Sequence, residues 1–209
     1  RSTGSTELKL MHDTATGAGF SLAASKGITG GRKGYKASLF EGGIGVPFIA
    51  RWPRKIAAGK LDRSSIFSAV DLLPTFCELA GIQLPKDYTP DGISQVDTLT
   101  GNGDKLRQKP LFWKYESAWP IRKDKPEHWV SYAVVNQNWK LVANRDANYV
   151  ELYDILKDPL EKEDLKADKP GIVHELLGLL NDWQSSLPEK PTGKVFSVER
   201  KEKKLYPFN

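Results

Sequence analysis

The chain is poor in the residues that form covalent cross-links and transition-metal sites. Its 209 residues include one cysteine, one methionine and three histidines. Cys77 therefore has no partner for an intrachain disulfide or a metal cluster. The histidines His12, His128 and His174 are scattered, without the H-x-x-x-H spacing of a helical zinc site. These shortages exclude a disulfide scaffold and a zinc centre of the common kinds.

No run of residues is long and apolar enough to predict a membrane span, and no signal peptide is recognisable. The net charge is only +5, and no RRM, helix-turn-helix or zinc-finger spacing is present, so we expect no nucleic-acid partner. A hydrophobic content of 39% with six tryptophans predicts a folded core. The sequence opens RSTGSTELKL, without an initiator methionine, and we expect it to begin inside a longer protein.

The first third of the chain has a glycine-rich, irregular beginning and one dense segment. Residues 1–33 predict a long loop with a short helix near residues 20–25, and His12 beside Asp13 is only weak evidence for catalysis. Residues 34–52 read GYKASLFEGGIGVPFIARW. In them we predict a lysine placed to meet an anion, a Gly42-Gly43 bend that uses unusual backbone angles, and a strand over 46–52.

The next periodic stretch predicts a helix that ends at Gly81. Asp71 is the predicted N-cap, in preference to a metal ligand or base, and Pro74 lies in the first turn. Cys77, inside this helix, is predicted to be a buried structural thiol. We expect one apolar helix face, made of Leu72, Leu73, Phe76, Leu79 and Ala80.

The second half changes to a period of two. Residues 111–116, 130–135, 139–143 and 150–154 predict a four-stranded antiparallel sheet with a turn over 136–138. A helix with Asp168 as N-cap, Pro170 in its first turn and Pro188 after its end carries a broad apolar stripe that can cover one sheet face. We therefore predict an α/β region over residues 1–108 and a small α+β subdomain over residues 109–209.

Several segments of this sequence match known motifs in the same order. The first match is Gly34, Lys36, Glu41, Gly42, Gly43, Pro47, Trp52 and Pro53; the second is Asp71, Pro74, Thr75, Ala80 and Gly81; the third is Asp91, Gly92, Ser94, Leu99 and Gly101; the last is Trp139-Lys140-Leu141 followed by Glu151-Leu152-Tyr153-Asp154-Ile155, Asp158-Pro159, Glu161 and Leu165. On these residues the chain resembles arylsulfatase-type, formylglycine-dependent (type I) sulfatases, near the N-acetylgalactosamine-6-sulfatase and arylsulfatase A-like group. Two departures are Gly45, where the family commonly has arginine, and Asp164, where it has asparagine.

The resemblance implies the C-terminal portion of an alkaline-phosphatase-like sulfatase fold and hydrolysis of sulfate esters. It assigns substrate sulfate binding to Lys36, the only active-site residue that carries over. The family's Ca²⁺ and formylglycine are expected in the full-length enzyme, with none bound through these residues. The C/S-x-P-S/A-R nucleophile motif and the Asp-Asn-Gly metal motif are not in this sequence, and Cys77 stands in FCELAG. We interpret Asp154, Asp158 and Glu161 as turn and capping residues, and we expect the isolated chain to be inactive.

Two other functions remain open at this stage. One is a binding module for sulfated polysaccharide that uses the basic excess and Trp113, Trp119 and Trp129. The other is a related phosphodiester or phosphonate hydrolase. The expected partners are a sulfated small molecule or glycan and the N-terminal part of the same protein. The loop over residues 119–129 is a further candidate for substrate contact. The family resemblance implies a periplasmic, secreted or lysosomal location.

Overall fold

The structure is a computed structural model that describes residues 29–103, 106–115 and 130–187. The predicted loop and short helix before residue 29, His12, His128, the 119–129 loop and the charged tail lie outside these ranges. Within the described ranges, no helix has the length and hydropathy of a membrane span.

The second half forms the predicted antiparallel sheet. Its strands are β1 (Leu111–Lys114), β2 (Tyr132–Asn136), β3 (Trp139–Ala143) and β4 (Val150–Asp154), in the order β1-β2-β3-β4. Asn136 pairs with Trp139 across a two-residue turn in which Gln137 has a φ of 54°. Valine and aromatic residues favour this pleated, packed surface.

One face of the sheet is covered by the C-terminal helix, α4 (Pro170–Ser186). Leu176 and Leu180 are buried against it, and the ring of Trp183 stacks on Phe112 at 5.1 Å between centroids. The N-cap is Lys169 rather than the predicted Asp168. Proline at the first helical position disfavours helical angles in the residue before it, so the helix begins one residue later than predicted.

The opposite face is also covered, which the sequence interpretation did not foresee. Leu39 and Phe40 are buried with Ala133, Val142 and Tyr153 in a second apolar cluster. Phe40 leads directly into α1 (Glu41–Ile44). The segment before residue 45 therefore belongs to the core of the C-terminal sheet.

The middle of the chain contains a 3-10 turn (Ala69–Asp71), then α2 (Leu72–Ala80) and α3 (Val96–Thr100). The predicted end of α2 is confirmed: Gly81 has a φ of 67° and its N–H bonds the Glu78 carbonyl. The predicted apolar face of α2 is not buried within the described residues, because Leu73 and Phe76 are exposed. Cys77 is half-buried instead of buried.

The predicted strand over residues 46–52 is absent from the structure. Val46 and Ile49 are 77% and 91% exposed, and the segment pairs with none of the described strands. A strand is stable only when its backbone groups find a neighbour or another packed surface. Apolar, β-branched composition without such a neighbour leaves an extended, exposed segment.

Candidate functional site

Lys36 lies at the tip of a tight turn. The Ser38 N–H donates to the Tyr35 carbonyl at 3.0 Å, and the Tyr35 N–H donates to Ser38 Oγ at 3.2 Å. Tyr35 and Ser38 are buried, whereas Lys36 is exposed. The turn therefore presents the Lys36 ammonium group on a fixed backbone, as an anion-binding role requires.

The third residue of this turn adopts a backbone conformation that is unfavourable for its type. Ala37 has a φ of 73°, while Lys36 is not among the residues with positive φ. This pattern matches a type II turn, which normally has glycine at the third position. A left-handed residue with a Cβ costs roughly 1–2 kcal/mol. Strain of this kind is concentrated at functional sites, where the surroundings hold it in place.

The glycines of α1 make room for the lysine turn. A Cβ on Gly42 would lie 2.2 Å from the Gly34 carbonyl oxygen, and one on Gly43 would lie 2.2 Å from the Ser38 carbonyl oxygen. Neither glycine has a positive φ, so the expectation of unusual backbone angles is wrong for this pair. Gly42 and Gly43 are needed because two backbone segments approach closely. The lysine turn thus rests directly on α1.

A buried ionic cluster, here called the glutamate–lysine triad, holds α1. It consists of Glu41, Lys140 and Glu161. Lys140 Nζ donates a hydrogen bond to Glu41 Oε1 at 2.8 Å. It also lies 2.8 Å from Glu161 Oε1, and this second contact is an ion pair without hydrogen-bond geometry. Glu161 Oε2 accepts the Glu41 backbone N–H at 2.7 Å. The side chains of Lys140 and Glu161 are completely buried.

Burial governs the electrostatics of the triad. It raises the pKa of Glu161, and the Lys140 charge and the hydrogen bond from Glu41 only partly oppose this effect. One ammonium group faces two carboxylates, so it cannot compensate both charges. The attraction of Lys140 and the bond from Glu41 therefore do not fully compensate the Glu161 carboxylate for its lost hydration.

Lys33 forms a second anchor, on the N-terminal side of the turn. Its Nζ donates to Glu151 Oε2 at 2.7 Å and to the Tyr153 hydroxyl at 2.8 Å, and it lies 4.4 Å from the centre of the Phe40 ring. The pKa of Tyr153 is raised, mainly because its hydroxyl is buried and secondly because it donates a hydrogen bond to Glu151. The phenol therefore stays protonated. Both ends of the lysine turn are thus fixed to the sheet.

Arg32 lies beside the position where the resemblance places an arginine. Its Nη1 donates to the Gly45 carbonyl at 2.7 Å. A Cβ on Gly45 would lie 2.6 Å from Glu41 Oε2 and 2.9 Å from Arg32 Nη1. A guanidinium group thus contacts residue 45 although that residue is glycine.

Asp71 occupies the predicted N-cap position of α2. Its side chain does not bond the N–H groups of α2; it completes a capping box with Ser68 at the preceding 3-10 turn. The buried carboxylate pairs with Arg107 Nη1 at 2.7 Å and accepts the N–H groups of Ser68 and Ile93. The Asp71–Arg107 pair therefore ties the 93–107 segment to the start of α2.

The acidic residues Asp154, Asp158 and Glu161 have different roles in the structure. Asp154 accepts the Lys157 N–H, and Asp158 accepts the N–H groups of Lys162 and Glu163. The interpretation of Asp154 and Asp158 as turn residues is therefore confirmed. Glu161 belongs to the triad instead. Across the described ranges, no group of three His, Cys, Asp or Glu could hold a metal ion, so these residues do not fit the family's Ca²⁺.

The ionic roles of Lys140, Glu161 and Lys33 were not predicted from the sequence. A signal for Lys140 was present: it is a charged residue between the apolar residues Trp139 and Leu141 in a strand. In a sheet with both faces buried, such a lysine requires a buried partner. Trp113, considered above as a glycan platform, packs half-buried against the second apolar cluster.

Comparisons with known proteins agree with this architecture. Human steryl-sulfatase is 31% identical over an alignment of 221 positions, including gaps, that covers 88% of this chain and 37% of that protein. An N-acetylgalactosamine-6-O-sulfatase of Bacteroides thetaiotaomicron is 30% identical, covering 71% of this chain and 29% of that protein. A structure solved in work on glycosaminoglycan metabolism by the same bacterium superposes with a TM-score of 0.57 at 26% identity, covering 75% of this chain and 32% of that one.

The chain therefore spans about a third of the length of these relatives. The family model described as N-sulphoglucosamine sulphohydrolase, C-terminal, matches residues 32–184. That range includes the lysine turn, α1, the sheet and most of α4. The chain belongs to this sulfatase family and corresponds to its C-terminal region.

Proposed function

We propose that the full-length protein hydrolyses sulfate esters and that Lys36 binds the sulfate group of its substrate. Membership of the sulfatase family supports the reaction. The observation that carries the role of Lys36 is its position: an exposed cation at the tip of a strained turn that is anchored on both sides.

The ammonium group of Lys36 would donate hydrogen bonds to a sulfate oxygen. It would stabilise the charge on the sulfuryl group during transfer and assist departure of the leaving oxygen, as preorganised cations do. Because the turn is fixed to the sheet, little reorganisation is needed when the substrate binds. Formylglycine, which would supply the nucleophile, and Ca²⁺ would be held by residues of the remainder of the full-length protein.

We propose a sulfated carbohydrate as the substrate class, since the similar bacterial enzyme is named as an N-acetylgalactosamine-6-O-sulfatase. We propose the N-terminal part of the same protein as the partner of this chain. The exposed apolar side chains of Val46, Ile49 and Phe76 support this, because contact with such a partner would remove their apolar surface from water. We propose a location outside the cytoplasm, in the periplasm, the lysosome or the medium.

The test is steady-state kinetics of the full-length protein on a sulfated N-acetylhexosamine. Lys36→Met should lower kcat/KM by roughly 100-fold or more, the usual loss for one preorganised donor to a transition state. Lys55→Met, which removes another exposed lysine, should leave kcat/KM unchanged. Unchanged kcat/KM in Lys36→Met would refute the assigned role.

Two further measurements separate the other functions. Faster turnover of a matched phosphate ester would favour a phosphodiester or phosphonate hydrolase. Binding of the sulfated sugar without any turnover would favour a binding module. The chain of 209 residues alone should show no turnover of an aryl sulfate.

A further inference from the structure

We propose that Lys140 and Glu161 are positioning residues for Lys36. They act through Glu41 and the two glycines of α1, and neither would touch the substrate. The consequence for catalysis rests on the function proposed above, whereas the consequence for the order of the lysine turn does not.

The first step links Lys140 and Glu161 to Glu41. Glu161 holds the backbone of Glu41 through the 2.7 Å bond to its N–H, and Lys140 holds the side chain through the 2.8 Å bond to Oε1. The ion pair between Lys140 and Glu161 keeps these two groups together. Glu41 is thus fixed at two points by residues of the C-terminal sheet and of the turn after β4.

The second step runs from α1 to the lysine turn. The Gly42 N–H donates to the Lys33 carbonyl at 2.7 Å. No methyl group fits between Gly42 and Gly34, or between Gly43 and Ser38. Because these backbones are already in contact, a shift of α1 displaces residues on both sides of Lys36.

A buried ionic cluster of this composition is a poor source of stability, since loss of hydration offsets most of its attraction. What the triad provides is a defined geometry. Its bonds link residues 99 and 120 positions apart and fix the helix on which the lysine turn rests. The Asp71–Arg107 pair is similarly buried, at 2.7 Å, but it joins the start of α2 to the 93–107 segment instead of contacting the lysine turn, and it therefore offers a matched control.

Hydrogen–deuterium exchange on the chain of 209 residues tests the structural part. Glu161→Gln removes the charge that pairs with Lys140, and Asp71→Asn removes the charge that pairs with Arg107. We expect amide exchange over residues 34–40 to accelerate roughly tenfold or more in Glu161→Gln, since a charged hydrogen-bond partner is lost. Exchange over 34–40 should be unchanged in Asp71→Asn. No acceleration in Glu161→Gln, or equal acceleration in both variants, would overturn the proposal.

A double-mutant cycle in the full-length protein tests the catalytic part. Glu161→Gln should lower kcat/KM roughly tenfold in the wild-type background and have almost no effect in the Lys36→Met background, because its effect passes through Lys36. Equal losses in both backgrounds would show that Glu161 does not act through Lys36 and would overturn the proposal. A full-length protein without sulfatase activity would refute the proposed function, while the exchange result would still decide whether the triad orders the turn.

Discussion

Replacement of Lys140 by methionine should have a large effect on stability. Methionine keeps the length and apolar character of the lysine stem but leaves Glu41 and Glu161 without a cation, and the side chain of Glu161 has no exposed surface. Breaking a buried ion pair by removal of one partner costs about 3–5 kcal/mol. That is a large fraction of the ~5–15 kcal/mol by which a domain is stable.

Urea denaturation followed by tryptophan fluorescence measures this effect. With a slope of about 1–3 kcal/mol/M, the midpoint should fall by roughly 1–5 M. The control is Lys166→Met, which removes a lysine paired with Asp164 at 3.0 Å on the surface. Such exposed pairs contribute about 0–1 kcal/mol. Equal losses of stability in the two variants would show that removal of Lys140 does not leave an uncompensated buried charge on Glu161.

Three smaller perturbations test the surroundings of the turn. Ala37→Gly should raise the free energy of unfolding by about 0.5–1 kcal/mol, because relief of the positive φ exceeds the entropy that glycine adds to the unfolded chain; a lower urea midpoint would contradict this. Gly42→Ala should lower the free energy of unfolding by about 1–3 kcal/mol, because the new Cβ would contact the Gly34 carbonyl. As a control, Gly171→Ala should stabilise α4 by about 0.5–1 kcal/mol, because a Cβ there meets nothing within 4 Å. Equal effects of the two substitutions on urea unfolding would refute the close approach at Gly42. The pKa of Glu161 in the folded state is raised above its ordinary value of 4.5, so between these two pKa values the folded state binds more protons than the unfolded state. The free energy of unfolding should therefore fall as the pH rises from 4.5 through the folded pKa. Unfolding measured at several pH values should show a flatter slope for Glu161→Gln.

The elements that were predicted correctly are those with a strong local signal. β3 and β4 have their predicted bounds because each is a short run of strand-favouring residues bounded by turn residues. The end of α2 was predictable because only glycine readily takes the left-handed conformation observed at Gly81. The sulfate-binding role of Lys36 followed from motif resemblance, and it remains a prediction.

The features that were missed depend on contacts distant in sequence. Residues 46–52 have strand-like composition, but a strand also needs a neighbour that local sequence cannot supply. The second covered face of the sheet was signalled by consecutive apolar residues, Ala133 to Val135 and Leu141 to Ala143, because alternation would have indicated a single buried face. The partners of Lys140 lie too far along the chain to be identified from the strand alone. The boundary near residue 108 also remains a prediction.

The long sequence separations in the triad have a consequence for how the protein is made. Residues 33–45 leave the ribosome about 120 residues before Glu161, which at the usual rate of 5–20 residues per second means roughly 6–24 s without their partners. During that time Leu39 and Phe40 have no sheet to pack against. The β2–β3 and β3–β4 hairpins close over short loops and can form as soon as they emerge. The lysine turn would then acquire its structure only after the sheet, and ordering of residues 33–45 should lag behind formation of the sheet during synthesis or refolding.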